Sequence, residues 1–153
     1  MLRLRKATMN DALLLFNWRN DPQTRLASHN QEELTFESHL SWLKAVLENP
    51  KRTIYIAEEN NTALGTIRAD RLNKASPEDT DGEYTELSWN VAPTARGQGV
   101  AKKMLRAILP LLSGLIKAEI KKDNIASIKV AEAVGMTLKT EKNGILFYEL
   151  TKQ

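Results

Sequence analysis

The chain has 153 residues, of which 42% are hydrophobic and 27% charged, and this size and composition indicate one globular domain with a single core. Lys and Arg outnumber Asp and Glu by 22 to 19 without a run of five like charges, which argues against a nucleic-acid partner. The lack of cysteine excludes disulfides, thiolate metal sites and cysteine nucleophiles, and His29 and His39 lack metal-ligand spacing.

The first half of the chain predicts one strand, then two helices, then three strands. Alternation of apolar and charged residues indicates strands, and apolar residues at helical spacing indicate helices. In chain order the predicted elements are a strand around Leu2 and Leu4, a helix at Met9–Arg19 that stops near Asp21-Pro22, a helix capped by Thr35 that ends before Pro50, strands at Thr53–Glu58 and Ala63–Ala69 around an Asn60-Asn61 turn, a loop at Asn73–Gly82 and a strand at Glu83–Val91.

The second half predicts two helices that alternate with strands and a terminal hairpin. In chain order these are a helix at Gly99–Leu112 that Pro110 should kink or shorten, a strand at Leu115–Ile120, a helix at Asn124–Val134 closed by Gly135, and a hairpin of Met136–Glu141 and Ile145–Thr151 around a type I′ turn at Asn143-Gly144. The whole order, β-α-α-β-β-β-α-β-α-β-β, predicts a single α/β domain over residues 1–153.

The stretch Val91–Ala101 joins a predicted strand to the helix that follows it. Gly97 and Gly99 carry no side chain, so the backbone there can adopt unusual dihedral angles and approach a ligand closely. The N–H groups of such a turn, together with the N-terminus of the next helix, favour an anion such as a diphosphate. The alternative is an ordinary strand-to-helix loop that happens to contain two glycines.

Written as V-x-P-x-x-R-G-x-G-x-A, this stretch resembles the acetyl-CoA pyrophosphate loop of the GNAT family of N-acetyltransferases. The family pattern Q/R-x-x-G-x-G/A is met by Arg96, Gly99 and Ala101. The predicted element order is also similar to the GNAT fold, a mixed and mostly antiparallel sheet that is splayed where acyl-CoA enters. The resemblance implies acetyl transfer from acetyl-CoA to a primary amine by direct attack, with no metal.

The resemblance also implies which residues contact acetyl-CoA. Backbone amides of the loop bind the pyrophosphate, and Arg96 contributes through its side chain or by holding the loop. A backbone N–H near Trp89 and Val91 binds the thioester carbonyl. Asn124 and Ser127 match the family's N-x-x-S/A segment, whose asparagine contacts the CoA arm, although Asn124 also suits a helix N-cap. The implied loop residues are Arg96, Gly97, Gln98, Gly99, Val100 and Ala101.

The proton-transfer groups are less well defined by the motifs. Many GNAT enzymes carry a tyrosine where this chain has Ala131, so the motifs do not identify the acid that protonates the departing CoA thiolate. Tyr148 and Tyr84 are the remaining candidates, and each could instead be a packing residue. Glu86 matches a glutamate that GNAT enzymes often use as a base, and a half-buried position should raise its pKa. His39 is the competing base.

The N-terminal half resembles, more loosely, the GNAT subgroup that acetylates nucleotide-linked amino sugars of the pseudaminic acid type. This resemblance rests on Trp18, Arg19, His39, Trp42, Gly65, Arg68 and Asp70. A tryptophan face can stack on a sugar or base, and an arginine can pair with a diphosphate. The predicted substrate-binding residues are Trp18, Arg19, His39 and Arg68, although Trp18 could belong to the core and Arg19 to the surface.

Two other functions stay open at this point. One is a ribosomal-protein-type N-terminal acetyltransferase, and the other is a non-catalytic acyl-CoA sensor on the same fold. The charged start of the chain and the lack of a long apolar run predict a cytoplasmic protein without a signal peptide or membrane contact. The expected partner is a small-molecule amine, and a homodimer is left open.

Overall fold

The structure, a computed structural model, describes residues 1–73 and 82–152. Most of the loop predicted at Asn73–Gly82 therefore lies outside the described residues. The elements are β1 (Arg3–Lys6), α1 (Ala12–Asn20), α2 (Pro22–Ala27), α3 (Phe36–Glu48), β2 (Arg52–Glu59), β3 (Thr62–Leu72), β4 (Tyr84–Val91), α4 (Val100–Ile108), β5 (Gly114–Lys121), α5 (Ile125–Ala133), β6 (Thr137–Lys142) and β7 (Ile145–Lys152).

The seven strands form one mixed sheet in the order β1-β2-β3-β4-β5-β7-β6. Every neighbouring pair is antiparallel except β4 and β5, which are parallel. These two strands pair only at Thr85 with Ile116 and at Glu86 with Lys117. Beyond Glu86 they separate, so a split opens between their C-terminal halves. The predicted α/β fold and the splayed, mostly antiparallel sheet are confirmed.

Among the described residues, the structure contains one α-helix more than the sequence predicted. Asp21-Pro22 ends α1, as predicted, but the same two residues also begin α2. Asp21 is the N-cap, and its carboxylate accepts a hydrogen bond from the backbone N–H of Thr24 at 3.1 Å. Pro22 occupies the first helical turn, where its fixed φ suits a helix and its missing N–H costs nothing. A stop signal and a start signal therefore coincide at these residues.

The local signals at the other turns were correct. Asn60 and Asn61 both have positive φ, as a type I′ turn requires, and so do Asn143 and Gly144. Pro110 shortens α4, which ends at Ile108 and continues as a single 3₁₀ turn over Leu109–Leu111.

Two hydrophobic clusters form the core. The first joins α1 and α3 to β2 and to the start of α4, and the second joins the rest of α4 and α5 to β4, β5 and β7. Gly65 of β3 lies where these layers meet. A Cβ at that position would stand 2.8 Å from the Asn90 carbonyl oxygen and 3.0 Å from the Met104 sulfur, so only glycine fits. No helix among the described residues has the length and apolarity that a membrane crossing requires.

Candidate active site

A cavity of about 970 Å³ fills the split between β4 and β5 and extends under α1, α2 and α3. Most of the predicted site residues line it, although they are far apart in the chain. They are Arg19, His39, Arg68, Glu86, Trp89, Val91, Arg96, Gly97, Gly99, Val100, Ala101, Asn124 and Ser127. The predicted residues that do not line it are Trp18, Gln98 and Tyr148.

The glycine loop forms the mouth of the cavity at the start of α4. A short 3₁₀ turn at Pro93–Ala95 leads into Gly97 and Gly99, whose φ angles are +77° and +75°. Gly99 is the N-cap of α4, and it supplies no side chain to occupy the first backbone N–H groups of the helix. These N–H groups, with the partial positive charge of the helix N-terminus, make a receptor for an anion.

Arg96 holds this loop to α2. Its guanidinium forms an ion pair with Asp21 and donates to Thr24 Oγ1 and Gln23 Oε1, each at 3.2 Å. Burial alone would raise the pKa of Asp21, but the hydrogen bonds from Arg96 and from the Thr24 backbone lower it overall. Of the two roles that the sequence left open for Arg96, the observed contacts are those of a residue that holds the loop.

Asn124 caps the first turn of α5 at the opposite lip of the cavity. Its side-chain oxygen accepts a hydrogen bond from the Ser127 backbone N–H at 3.2 Å. The capping role considered from the sequence is thus observed, and both residues also line the cavity. The two functions are compatible because the side-chain amide of Asn124 has donors that the cap does not use.

The edge of β4 offers backbone groups to the split. The backbone N–H of Ala92 donates to the Leu64 carbonyl of β3 at 2.8 Å. In an antiparallel pair every second residue directs its backbone N–H and C=O groups to the same neighbouring strand, so the even-numbered residues of β4 bond to β3. The odd-numbered residues Leu87, Trp89 and Val91 therefore direct their N–H and C=O groups away from β3, toward the split. Because β5 no longer pairs there, these groups border the cavity.

On one face of β3 and β4, polar side chains lie side by side next to the split. Residues opposite each other in register share a face, which places Arg68 beside Ser88 and Asp70 beside Glu86. Burial raises the pKa of Glu86, and the negative charges of Glu119 and Asp70 raise it further, while Arg68 opposes them. A carboxyl with a raised pKa that lines a cavity is suited to accept a proton near neutral pH.

Arg68 and Trp42 lie together at the inner end of the cavity. The Arg68 guanidinium donates to Asp70 through Nε at 2.9 Å and lies 5.5 Å from the centroid of the Trp42 ring. Trp42 is 38% exposed. Its contact with a fixed guanidinium leaves a flat apolar surface beside a positive charge.

Arg19 and His39 add unused hydrogen-bonding groups at the same end. Arg19 donates to the Asn30 carbonyl at 2.6 Å through Nη2, but its buried Nη1 has no partner among the described residues. His39 is only 3% exposed, lies between Phe16 and Trp42, and makes no hydrogen bond of normal geometry within residues 1–73 and 82–152. Burial lowers the pKa of His39, the Ala12 backbone opposes this effect, and the nearby Arg19 charge lowers the pKa further.

Two predicted site residues lie elsewhere. Trp18 is buried in the first core cluster and does not line the cavity, so its position gives no support to the predicted substrate contact; a large apolar ring on the inner face of α1 gains more from packing. Tyr148 is 1% exposed in the second cluster and donates to Glu132 at 3.2 Å. Burial, then Glu132, raises the pKa of Tyr148. Its position gives no support to the predicted catalytic role.

The segment from Asp21 to His29, which we call the strap, was missed by the sequence analysis. On the β4 side it contacts Arg96, and Thr24 meets Asn90 at 3.2 Å between side-chain oxygens. On the β5 side Lys121 donates to the Leu26 carbonyl at 3.0 Å. The strap thus connects the two lips of the split over the cavity. The cap signal at Asp21-Pro22 could have revealed its helix, but not its contacts across the sheet.

Comparisons with known proteins agree with this geometry. The family described as the acetyltransferase (GNAT) domain matches residues 1–137. Comparison with curated protein sequences gave no significant match. Among the solved structures, aminoglycoside acetyltransferase AAC(6')-Ib in complex with coenzyme A is 22% identical with a TM-score of 0.84, over 100% of this chain and 96% of that one.

Two further structures are similar over nearly their whole length. The putative acetyltransferase yncA from Salmonella typhimurium with acetyl-CoA is 21% identical, with a TM-score of 0.76 over 99% of this chain and 94% of that one. Ribosomal-protein-alanine N-acetyltransferase from Brucella melitensis is 22% identical, with a TM-score of 0.78 over 97% and 99%. Within the described ranges no His, Cys, Asp and Glu side chains cluster as metal ligands would. The chain belongs to the GNAT acetyltransferase family and is an acetyl-CoA-dependent N-acetyltransferase.

Proposed function

We propose that the protein acetylates the primary amine of a small acceptor that also carries an anionic group, and that this acceptor is a nucleotide-linked amino sugar. The observation that carries the proposal is the inner end of the cavity, where Trp42 and Arg68 present a flat surface and a guanidinium near Glu86. A sugar or base can stack on the indole, and a phosphate can pair with the guanidinium.

The charge of the cavity supports an anionic rather than a polycationic acceptor. Its lining contains four basic residues and two acidic ones, namely Arg19, Arg68, Arg96, Lys121, Glu86 and Glu119. A polycation such as an aminoglycoside, the class named for the similar enzyme AAC(6')-Ib, needs several carboxylates around it. Here Asp70, which faces Glu86 from β3, is already paired with Arg52 and Arg68.

The strap supports a small acceptor rather than a protein N-terminus. A peptide acceptor needs an open groove in which its backbone can lie. The contacts of Lys121 with Leu26 and of Thr24 with Asn90 cover the split between β4 and β5. A ribosomal-protein-type acceptor remains the second candidate, because a structure of that enzyme class is among the similar ones and Asn124 and Ser127 match its helix start.

The arrangement of these residues is consistent with direct transfer. Acetyl-CoA binds with its pyrophosphate on the loop at Gly97 and Gly99, and its pantetheine arm lies in the split. Glu86 takes a proton from the acceptor ammonium, and the free amine attacks the thioester carbonyl. A backbone N–H of the β4 edge donates to the developing oxyanion. The CoA thiolate leaves without a side-chain acid, since a thiol pKa of about 8.5 makes it a fair leaving group, and the remaining extra proton on the attacking nitrogen is released to solvent as the amide forms.

The test compares acceptors directly, with release of free CoA thiol as the readout. We expect a UDP-linked amino-dideoxy sugar to be acetylated faster than short peptides with a free N-terminus or an aminoglycoside. Arg68→Ala should raise KM for the sugar nucleotide and leave acetyl-CoA affinity unchanged. Arg52→Ala is the matched control, because Arg52 also pairs with Asp70 but does not line the cavity. Faster acetylation of peptides than of any sugar nucleotide would refute the proposed acceptor.

A further inference from the structure

A second carboxylate faces Glu86 across the split. Glu86 belongs to the last residue pair that joins β4 to β5, opposite Lys117. Glu119 follows two residues later in β5, and because side chains alternate along a strand it projects to the same face as Lys117. Glu86 and Glu119 both line the cavity, and the charge of Glu119, with its capacity to hydrogen-bond to a protonated Glu86, raises the pKa of Glu86. Two carboxylates thus meet where the parallel strands begin to separate.

Glu119 also connects this point to the protein surface. Its Oε1 lies 3.2 Å from Nε2 of His29, the last residue of the strap. The side chain of His29 is 55% exposed and that of Glu119 is 36% exposed, so the pair borders solvent. The neighbouring contact of Lys121 with the Leu26 carbonyl holds this part of the strap against β5. A continuous row of proton-exchanging groups therefore leads from Glu86 to water.

We propose that Glu119 and His29 conduct the proton that Glu86 removes from the acceptor to solvent. The inference rests on Glu86 as the base in the proposed function. The ammonium proton bonds to a Glu86 oxygen, passes to Glu119, and then passes to the lone pair of His29 Nε2. The imidazolium releases it to water, and imidazole is the side chain best suited to exchange protons near neutral pH. The net change is an ammonium that becomes an amine and one proton in solvent.

Three other charged groups face Glu86. Lys117, its partner in register on β5, lies with Nζ 4.4 Å from the Tyr84 ring centroid, and Asp70 and Arg68 of β3 do not provide such a path. Asp70 of β3 also faces Glu86, but two arginines hold it through hydrogen bonds of 3.0 Å and 2.9 Å. Arg68 opposes the protonation of Glu86 and cannot itself exchange a proton near neutral pH. Of the carboxylates that raise the pKa of Glu86, only Glu119 contacts a histidine within residues 1–73 and 82–152.

The first test needs no acceptor. The carboxyl carbon of Glu86 is followed by NMR against pH in the free protein, assigned by comparison with Glu86→Gln. In Glu119→Gln the titration midpoint of Glu86 should fall, because removal of a facing negative charge stabilises the ionised carboxylate. Glu141→Gln, an exposed change on β6, is the control that should leave the midpoint in place. An unchanged midpoint in Glu119→Gln overturns the proposed pair, whatever the acceptor is.

The second test follows turnover with any amine that the wild-type enzyme acetylates. His29→Ala should lower kcat by roughly 10- to 10²-fold. This loss is smaller than the roughly 10²–10⁴-fold typical of a group that exchanges a proton directly with the substrate, because His29 acts two steps away from it. Added imidazole should restore much of this rate in His29→Ala, whereas wild type and Glu119→Gln should not respond. A purely structural His29 would give a loss that imidazole does not restore, and that result overturns the path.

Discussion

The loop at the mouth of the cavity makes the most direct prediction, through Gly99. Its φ of +75° lies in the left-handed region, and a Cβ there would meet nothing within 4 Å. Gly99→Ala therefore causes no clash in the free protein. Its cost is conformational, about 1–2 kcal/mol for an L-residue held at positive φ. The β-branched Gly99→Val should cost more, because such a residue at positive φ is strongly disfavoured.

This cost converts into a weakened affinity for acetyl-CoA. A loop that relaxes to negative φ no longer directs its N–H groups at the pyrophosphate, so only a fraction of molecules is competent to bind. A penalty of 1–2 kcal/mol corresponds to a Kd raised by roughly 5- to 30-fold for Gly99→Ala. The new Cβ also stands where the ligand must approach the backbone, so the measured loss should be at least this large.

Isothermal titration calorimetry with acetyl-CoA measures this effect, and urea unfolding shows that each variant is folded. Gly114→Ala is the matched control: Gly114 has a φ of +79°, also has open space at its Cβ, and lies at the start of β5 outside the cavity. It should lose a similar amount of stability and no affinity. A folded Gly99→Val variant with wild-type affinity would refute the assignment of the loop.

Three further predictions follow from the site and its packing. Glu86→Gln should lower turnover by roughly 10²–10⁴-fold with little change in acetyl-CoA affinity, and near wild-type turnover of the variant would remove Glu86 from the mechanism. Because burial and neighbouring carboxylates raise the pKa of Glu86, the kcat/KM of the wild-type enzyme should fall with decreasing pH, at a midpoint above the ordinary pKa of glutamate. Tyr148→Phe should keep wild-type turnover and lose about 1 kcal/mol of unfolding free energy with its hydrogen bond, so a large drop in kcat would contradict the packing role. Gly65→Ala should destabilise the protein by about 1–3 kcal/mol in urea unfolding, because its Cβ would displace the Asn90 backbone at 2.8 Å, and unchanged stability would show that β3 and β4 can separate freely.

The sequence by itself determined the elements and the cofactor loop. Strand alternation, helical spacing and caps depend on neighbours within a few residues, which is why the type I′ turn at Asn143 and the shortening of α4 by Pro110 were predicted correctly. The loop is also local, since Gly97 and Gly99 act through their own dihedral angles and through the helix that follows them.

The tertiary structure decided which side chains face the cavity. Trp18 and Trp42 have the same chemistry and both lie on helices, yet one is buried in the core and the other borders the cavity. The choice depends on which helix face meets the sheet, and a lone aromatic residue does not carry that information. Tyr148 is a similar case, because its partner Glu132 comes from a different element.

The contacts across the split were decided only by the fold. Glu86 and Glu119 lie on strands separated by a helix, and they meet because β4 and β5 pair in parallel and then diverge. Asp21 and Arg96, or His29 and Glu119, are brought together by the strap from positions 75 and 90 residues apart. Local propensities act over a few residues, whereas these contacts follow from strand register and from the packing of α2 over the sheet.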